Sequence, residues 1–466
     1  MSETNNTTGA RGEEHTIEEF GYQQELNRAL RFRHLLAYGM VFMVPIAPMG
    51  IYGFVVGPGL GMVPLIYIVG IIAMTFTALS YRWMSQEFPI TGSVYSYVQR
   101  GLNAHIGFLA GWMIMADYLL APALLYGFTG LWLNALVPSI PIWVFIVLFV
   151  IVNTFVTGRG ITVTADTNFF LLAIELVALA IFLVIGLKYV FVDGGGTGGL
   201  SLDPIYQPEH VNLSFIAAAA SIAVLSFLGF DGISTLAEET HRPERTVGNA
   251  TVAALIILGL IFVTQTYLAA LIHPDYKSLD PELAFFQIAR DAGGAFLYYL
   301  LLVVNVIAVG IANALAAQLA ISRILYSVSR DDMLPASGFL SRIHPRYRTP
   351  FNATLFVGVV TLVVALIFEV DTIAKFVNFG ALTAFMALNI SVFVYFFIRR
   401  RRRGSLLDFL KYLLFPLLGF AIIAYVWSGF DRNTFIFGFS WLAAGIIIAA
   451  IKTKGFREKP SVIEEL

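Results

Sequence analysis

The chain has 466 residues, 58% of them hydrophobic and only 13% charged, with a mean hydropathy of +0.79 and a net charge of −1. Soluble domains carry about 25% charge, so no compact soluble core could hide this much apolar side chain, and lipid must be the solvent for much of it. The same composition excludes disorder, the charge balance gives no support for nucleic-acid binding, and the absence of cysteine removes disulfide frameworks, thiolate catalysis and zinc–sulfur sites.

Residues 1–33 are polar and lack an apolar core followed by small residues. They read as a disordered or surface-lying cytoplasmic tail, not as a cleavable signal peptide. Twelve runs then approach or exceed the roughly 20 apolar residues that a bilayer-spanning helix needs. They cover 34–56, 62–83, 104–134, 141–157, 161–190, 214–237, 247–272, 295–327, 351–369, 372–398, 409–428 and 434–451. The third and eighth are longer than a bilayer requires, which implies tilt or extra turns outside it, and the fourth is near the lower limit. The expected organisation is five helices over 34–190, an extracellular loop over 191–213 and five more helices over 214–398. A basic loop over 399–408, two last helices over 409–451 and a tail over 452–466 follow.

The N-tail, alternate loops and the C-tail hold 24 Lys and Arg, and the other loops hold five. This asymmetry places both termini and the run Arg399–Arg403 in the cytoplasm. The arginine run abuts a span, so it reads as a topology signal and not as a nucleic-acid patch. The glycine cluster Gly194–Gly199 has no strand–helix context and is a loop, not a phosphate cradle.

Two spans carry interruptions. The first contains Pro45, Ile46, Ala47, Pro48, Met49 and Gly50, with two residues that lack an amide proton. The sixth contains Phe227, Leu228, Gly229, Phe230 and Asp231. Broken backbone at membrane depth is tolerated only where protein or a water-filled cavity surrounds it. Paired breaks in corresponding helices of two halves point to a transporter substrate site, the alternative being kinks that serve packing alone. Three carboxyls also fall inside spans: Asp117, Glu175 and Asp231. A carboxylate there costs a few kcal/mol or more unless it is solvated, paired or protonated. Proton exchange at such a group is the chemistry of proton coupling, and a structural carboxyl bonded to a neighbouring helix is the alternative. Tyr118 and Phe230 adjoin two of these acids and are candidates to line the cavity. All seven histidines fall in tails, loops or span ends, so neither an intramembrane metal centre nor a Ser/His/Asp grouping is supported.

Several stretches carry a family resemblance. Glu87-Phe88-Pro89, Gly92-Ser93-Val94-Tyr95, Tyr97, Gly107 and Gly111-Trp112 resemble the loop and third helix of amino acid–polyamine–organocation permeases. Ser226–Asp231 with Glu238-Glu239-Thr240 and Pro243 resemble that superfamily's sixth helix and following loop. Ser322–Tyr326, Arg330-Asp331, Leu334-Pro335, His344-Pro345, Thr349-Pro350 and Asn352 resemble its region around helices eight and nine. With Asn378-Phe379-Gly380-Ala381, the chain looks most like the bacterial putrescine importer subgroup.

The resemblance implies an all-α membrane protein of twelve transmembrane helices, in which a 5+5 inverted repeat with broken helices one and six is followed by two C-terminal helices. It implies alternating access, with substrate held by the unwound segments Pro45–Gly50 and Phe227–Asp231; Asp117 and Tyr118 join them as candidate substrate-binding residues from the reading of the spans above. Amino-acid members usually have small residues in helix one, whose bare amides hold the substrate carboxylate; this chain has two prolines there. Several proton-coupled members carry a lysine in helix five, where Glu175 stands here. The expected protein is a secondary importer of a polyamine or an amino acid in the plasma (inner) membrane, with proton symport and no cofactor. Antiport and sodium coupling remain open, whereas a channel or an intramembrane enzyme lacks the residues it would need. The expected partners are the small substrate and membrane lipid, with no nucleic acid and no obligate protein partner.

Overall fold

The computed structural model describes residues 28–90, 93–160, 165–208, 213–330, 334, 336–347 and 349–457. The tail at 1–27 and the end at 458–466 lie outside the described residues, as does part of the loop expected at 191–213. Among the described residues the only β feature is an isolated bridge between Leu30 and Thr240.

The first span is a bent pair, α1 (Phe32–Met43) and α2 (Ala47–Val56), meeting at 41°. Pro45 cannot donate to the preceding turn, and a residue before proline is pushed out of helical geometry. Val44 takes this strain, with φ of 57°. The non-helical stretch is therefore 44–46 and not the whole of Pro45–Gly50. Pro48 falls in the first turn of α2, where amides have no intrahelical acceptor and a missing one costs little.

Next come α3 (Val63–Glu87), the short α4 (Ser93–Gly101), α5 (Ala104–Leu136), α6 (Ile142–Gly158) and α7 (Ala165–Phe191). Asn103 caps α5 by accepting the Ile106 amide at 2.9 Å. The sixth span begins as α8 (Leu213–Ala223), tightens to a 3₁₀ turn over Val224–Phe227, breaks at Leu228 and Gly229, and resumes as 3₁₀ helix over Phe230–Glu239. The second half continues with α9 (Pro243–Ile272) and α10 (Ala284–Asn305). A π segment at Val306–Asn313 joins α10 to α11 (Ala314–Arg330). Gly294, at φ 64° and ψ −157°, interrupts α10 where the apolar run begins. The chain ends with α12 (Ser337–Leu340), α13 (Phe351–Ile367), α14 (Val370–Val392), α15 (Leu406–Phe409), α16 (Phe415–Trp427) and α17 (Arg432–Lys452).

Among the described residues nine helices are long and apolar enough to cross a membrane, and the bent pair makes a tenth. The two remaining expected runs are the shorter helices α6 and α13, which pack side by side. Helix α3 packs along α9, joining the second span of each half, and α5 packs along α14. Polar ties cross these interfaces. Ser80 donates to Asn389 Oδ1 at 2.6 Å, and Asn389 Nδ2 donates to Thr77 at 3.1 Å. Tyr126 donates to Gln318 Oε1 at 2.6 Å, and Gln318 Nε2 donates to Thr154 at 2.7 Å. In hydrocarbon such bonds hold helices that the hydrophobic effect alone would not sort. Large exposed apolar side chains, including Ile151, Val184 and Ile447, lie on the outward faces, as lipid contact requires.

The two ends of the bundle differ in charge. At one end Glu87 accepts from Tyr395 at 3.0 Å and pairs with Arg402 at 3.2 Å, tying the basic loop to the end of α3. At the other end the Thr197 amide donates to the Leu271 carbonyl at 2.9 Å, seating the glycine-rich loop on α9.

Candidate functional site

Both helix breaks open onto one cavity of about 120 Å³. Helix one contributes Val44, Ala47 and Gly50; helix six contributes Ser226, Leu228, Gly229 and Asp231; α5 contributes Asp117 and Tyr118. The sixth-helix break exists because Gly229 has φ of 110°, and a side chain there would collide with Phe42 of α1. Only glycine meets both conditions, so the sixth-helix break packs directly against the last turn of α1, just before the first break.

Asp231 is 2% exposed. Its Oδ1 accepts the Gly229 amide at 3.3 Å, the Tyr118 hydroxyl lies beside its carboxyl, and its Oδ2 has no hydrogen-bond partner among the described residues. Asp117 is close enough for the two charges to interact. Gly380 allows this placement, because α14 runs so close to α5 that a Cβ would strike the Met113 carbonyl, one turn before Asp117. Two carboxyls facing one buried cavity are a cation site in the making, since uncompensated charge at this depth is costly.

The remaining expected residues lie around the cavity and not on its wall. Phe227 packs between Tyr67 and Phe262, and Phe230 against Tyr81 and Phe385, so both anchor the broken helix. Ile46 and Pro48 are buried behind the break. Met49 touches Asn305, and the Pro45 carbonyl accepts from Gln265 Nε2 at 2.9 Å. Glu175 is not brought together with the aspartates. It is 3% exposed and faces a second cavity of about 270 Å³, with Tyr38 and Arg323. Its Oε2 has no partner among the described residues. Phe42 and Asn313 line both cavities.

Sequence reasoning missed Asn305, Asn313, Gln265 and Trp132, because it sought ionisable groups in the spans and passed over amides and an indole. The signal was present: Asn305 and Asn313 stand eight apart within a long apolar run.

A sequence profile described as amino acid permease matches residues 35–458. The chain belongs to the amino acid permease family. It is 33% identical over 443 residues to the low-affinity putrescine importer PlaP of Escherichia coli, covering 95% of this permease and 97% of that protein. It is 26% identical to a methylthioribose transporter of Bacillus subtilis, with 80% and 82% covered. A branched-chain amino acid permease of the same organism is 24% identical, with 72% and 74% covered. The protein is an integral membrane transporter of the amine and amino acid class and not an enzyme.

Gly229→Ala should destabilise the protein by about 1–3 kcal/mol, from the strained φ and the collision with Phe42. Thermal unfolding and uptake in cells read both consequences. Parent-like melting with parent-like uptake would show that the break tolerates a side chain.

Proposed function

We propose that this permease imports a small amine lacking an α-carboxylate, by proton symport with alternating access. One observation carries the substrate reading: the cavity at the breaks presents two acids and few free amides. Of residues 45–49, Pro45 and Pro48 have no amide proton, the Ala47 amide donates to Val44 O at 2.9 Å, and the Met49 amide donates to Ile46 O at 2.9 Å. A substrate carboxylate at the breaks would meet Asp117 and Asp231 with few free backbone amides to offset them, whereas an ammonium would be held by charge-assisted bonds. The likeness to a protein named as a putrescine importer supports the same choice.

The coupling group in this reading is Glu175. It sits apart from the substrate, beside α1 in the second cavity, where an ionised carboxylate without a partner is costly. Loss or gain of its proton therefore biases the position of α1. The charged end of the bundle faces the cytoplasm in this reading, because 24 of the 29 Lys and Arg lie on that side. The second cavity then opens inward.

Three outcomes are expected. Asp231→Asn should weaken amine binding at least about tenfold, the scale of one charge-assisted bond, while the protein still folds; isothermal titration measures it. Unchanged affinity in that variant would take Asp231 out of the site. Glu175→Gln should keep substrate exchange in proteoliposomes yet lose accumulation driven by an inward proton gradient. A variant that still accumulates like the parent removes Glu175 from coupling, and a parent that responds only to sodium removes proton symport. Reporters active only in the cytoplasm should signal from both termini, and silence from an inserted, expressed fusion would overturn the orientation.

A further inference from the structure

The cavity has a polar end that the amine reading does not use. Asn305 is fully buried, and its Nδ2 donates to the Leu301 carbonyl at 2.9 Å, which fixes the amide and leaves Oδ1 without a partner among the described residues. Trp132 is 1% exposed, and its Nε1–H likewise has no acceptor among them. Both residues line the cavity, and both meet the first turn of α2. Asn305 lies 3.7 Å from Met49 Sδ, and a Cβ on Gly50 would stand 2.9 Å from the Trp132 ring.

This end is well separated from the acids. Trp132 follows Asp117 on α5 by fifteen residues, roughly 22 Å of helix. The wall between them is apolar, with Ala121, Leu124 and Phe128 on α5 and Val309 opposite. The cavity is thus a slot with acids at one end, hydrocarbon along its length, and an isolated acceptor and donor at the other.

The donor and acceptor inventory narrows what belongs there. Asn305 Oδ1 only accepts and Trp132 Nε1 only donates. An ammonium only donates, so it would leave the indole N–H unanswered; a carboxylate only accepts and would leave Oδ1 unanswered. A hydroxyl or an unprotonated amine answers both. We infer that Asn305 and Trp132 form a second subsite, for a neutral group that both donates and accepts, at the far end of a linear alkylamine whose ammonium is held by Asp117 and Asp231. The inference rests on the amine reading above. A diamine then binds as a monocation: its far nitrogen gives one proton to the solvent, accepts the Trp132 N–H with its lone pair and donates an N–H to Asn305 Oδ1.

The test is isothermal titration of the purified full chain with alkylamines, amino alcohols and α,ω-diamines matched in chain length over a homologous series. At the best length the amino alcohol should bind at least about tenfold tighter than the matched alkylamine, the scale of two net hydrogen bonds. The ratio of diamine to amino-alcohol affinity should rise as pH increases from neutral, since ionisation of Asp117 and Asp231 strengthens the binding of both ligands alike and cancels in the ratio. Trp132→Phe, which keeps the ring and removes the N–H, and Asn305→Ala should each bring the ratio of amino alcohol to alkylamine affinity toward one. A diamine that outcompetes the amino alcohol at neutral pH, or a hydroxyl preference that survives both variants, overturns the subsite. So does alkylamine binding that depends on Asp231 but shows no hydroxyl preference in the parent, a result that leaves the amine reading standing. Amine binding indifferent to Asp231→Asn, or no amine binding at all, overturns the amine reading itself. If Asn305→Ala fails to fold, the parent series and Trp132→Phe still decide.

Discussion

Hydrocarbon offers no partner to an exposed peptide group, so every amide and carbonyl at membrane depth must be answered from within the protein. Most of this chain obeys by remaining helical. The exceptions are Val44–Ile46 and Leu228–Gly229, and the rest of the bundle is arranged around them. Gln265 reaches from α9 to the Pro45 carbonyl, Gly229 takes a φ that other residues avoid, and Phe227 and Phe230 wedge the broken helix into aromatic packing on either side. The last turn of α1 lies against the sixth-helix break through Phe42 and Gly229, so α1 cannot move far without altering the sixth helix.

Around that centre the structure separates holding from working. The Ser80–Asn389–Thr77 and Tyr126–Gln318–Thr154 ties are complete, with every partner in hydrogen-bond range, and they join helices remote in sequence. Four buried polar atoms left without a partner among the described residues belong to residues that line the two cavities: Asp231 Oδ2, Glu175 Oε2, Asn305 Oδ1 and Trp132 Nε1; others, such as Thr75 Oγ1 and Asn378 Oδ1, lie elsewhere in the bundle. Unanswered polarity in a low-dielectric interior is expensive, and at a cavity wall a ligand or proton can relieve it.

The sequence made the architecture legible because its strongest signals are physical and long-range in register: apolar runs set span lengths, and proline and glycine mark where helices cannot continue. Asp117 and Asp231 were visible as costly residues in apolar surroundings, with Tyr118 next to the first, and the fold gathers all three at one cavity. The extent of the first break was not visible, because Pro48 reads as a breaker until its position in the first turn of α2 is known. Glu175 was visible as a carboxyl within an apolar span, yet which cavity it faces depends on the rotation of α7 about its axis, which spacing alone does not set. The short α4 does carry a helical period, with Val94, Tyr97, Val98 and Gly101 buried on one face, but its nine residues are too few to register as a span; the π segment at Val306–Asn313 lies inside one long apolar run that gives no sign of it.

The pairing of α6 with α13 has a consequence beyond the transport pathway. Each helix has 17 residues, about 26 Å of rise against a hydrocarbon thickness of about 30 Å. Because they stand side by side, the shortfall is concentrated on one flank. Lipids there must thin or let their headgroups dip to meet the helix ends, at a cost of fractions of a kcal/mol for each ångström. The protein therefore imprints a dent on its surrounding bilayer, and a thicker membrane would press on that flank first.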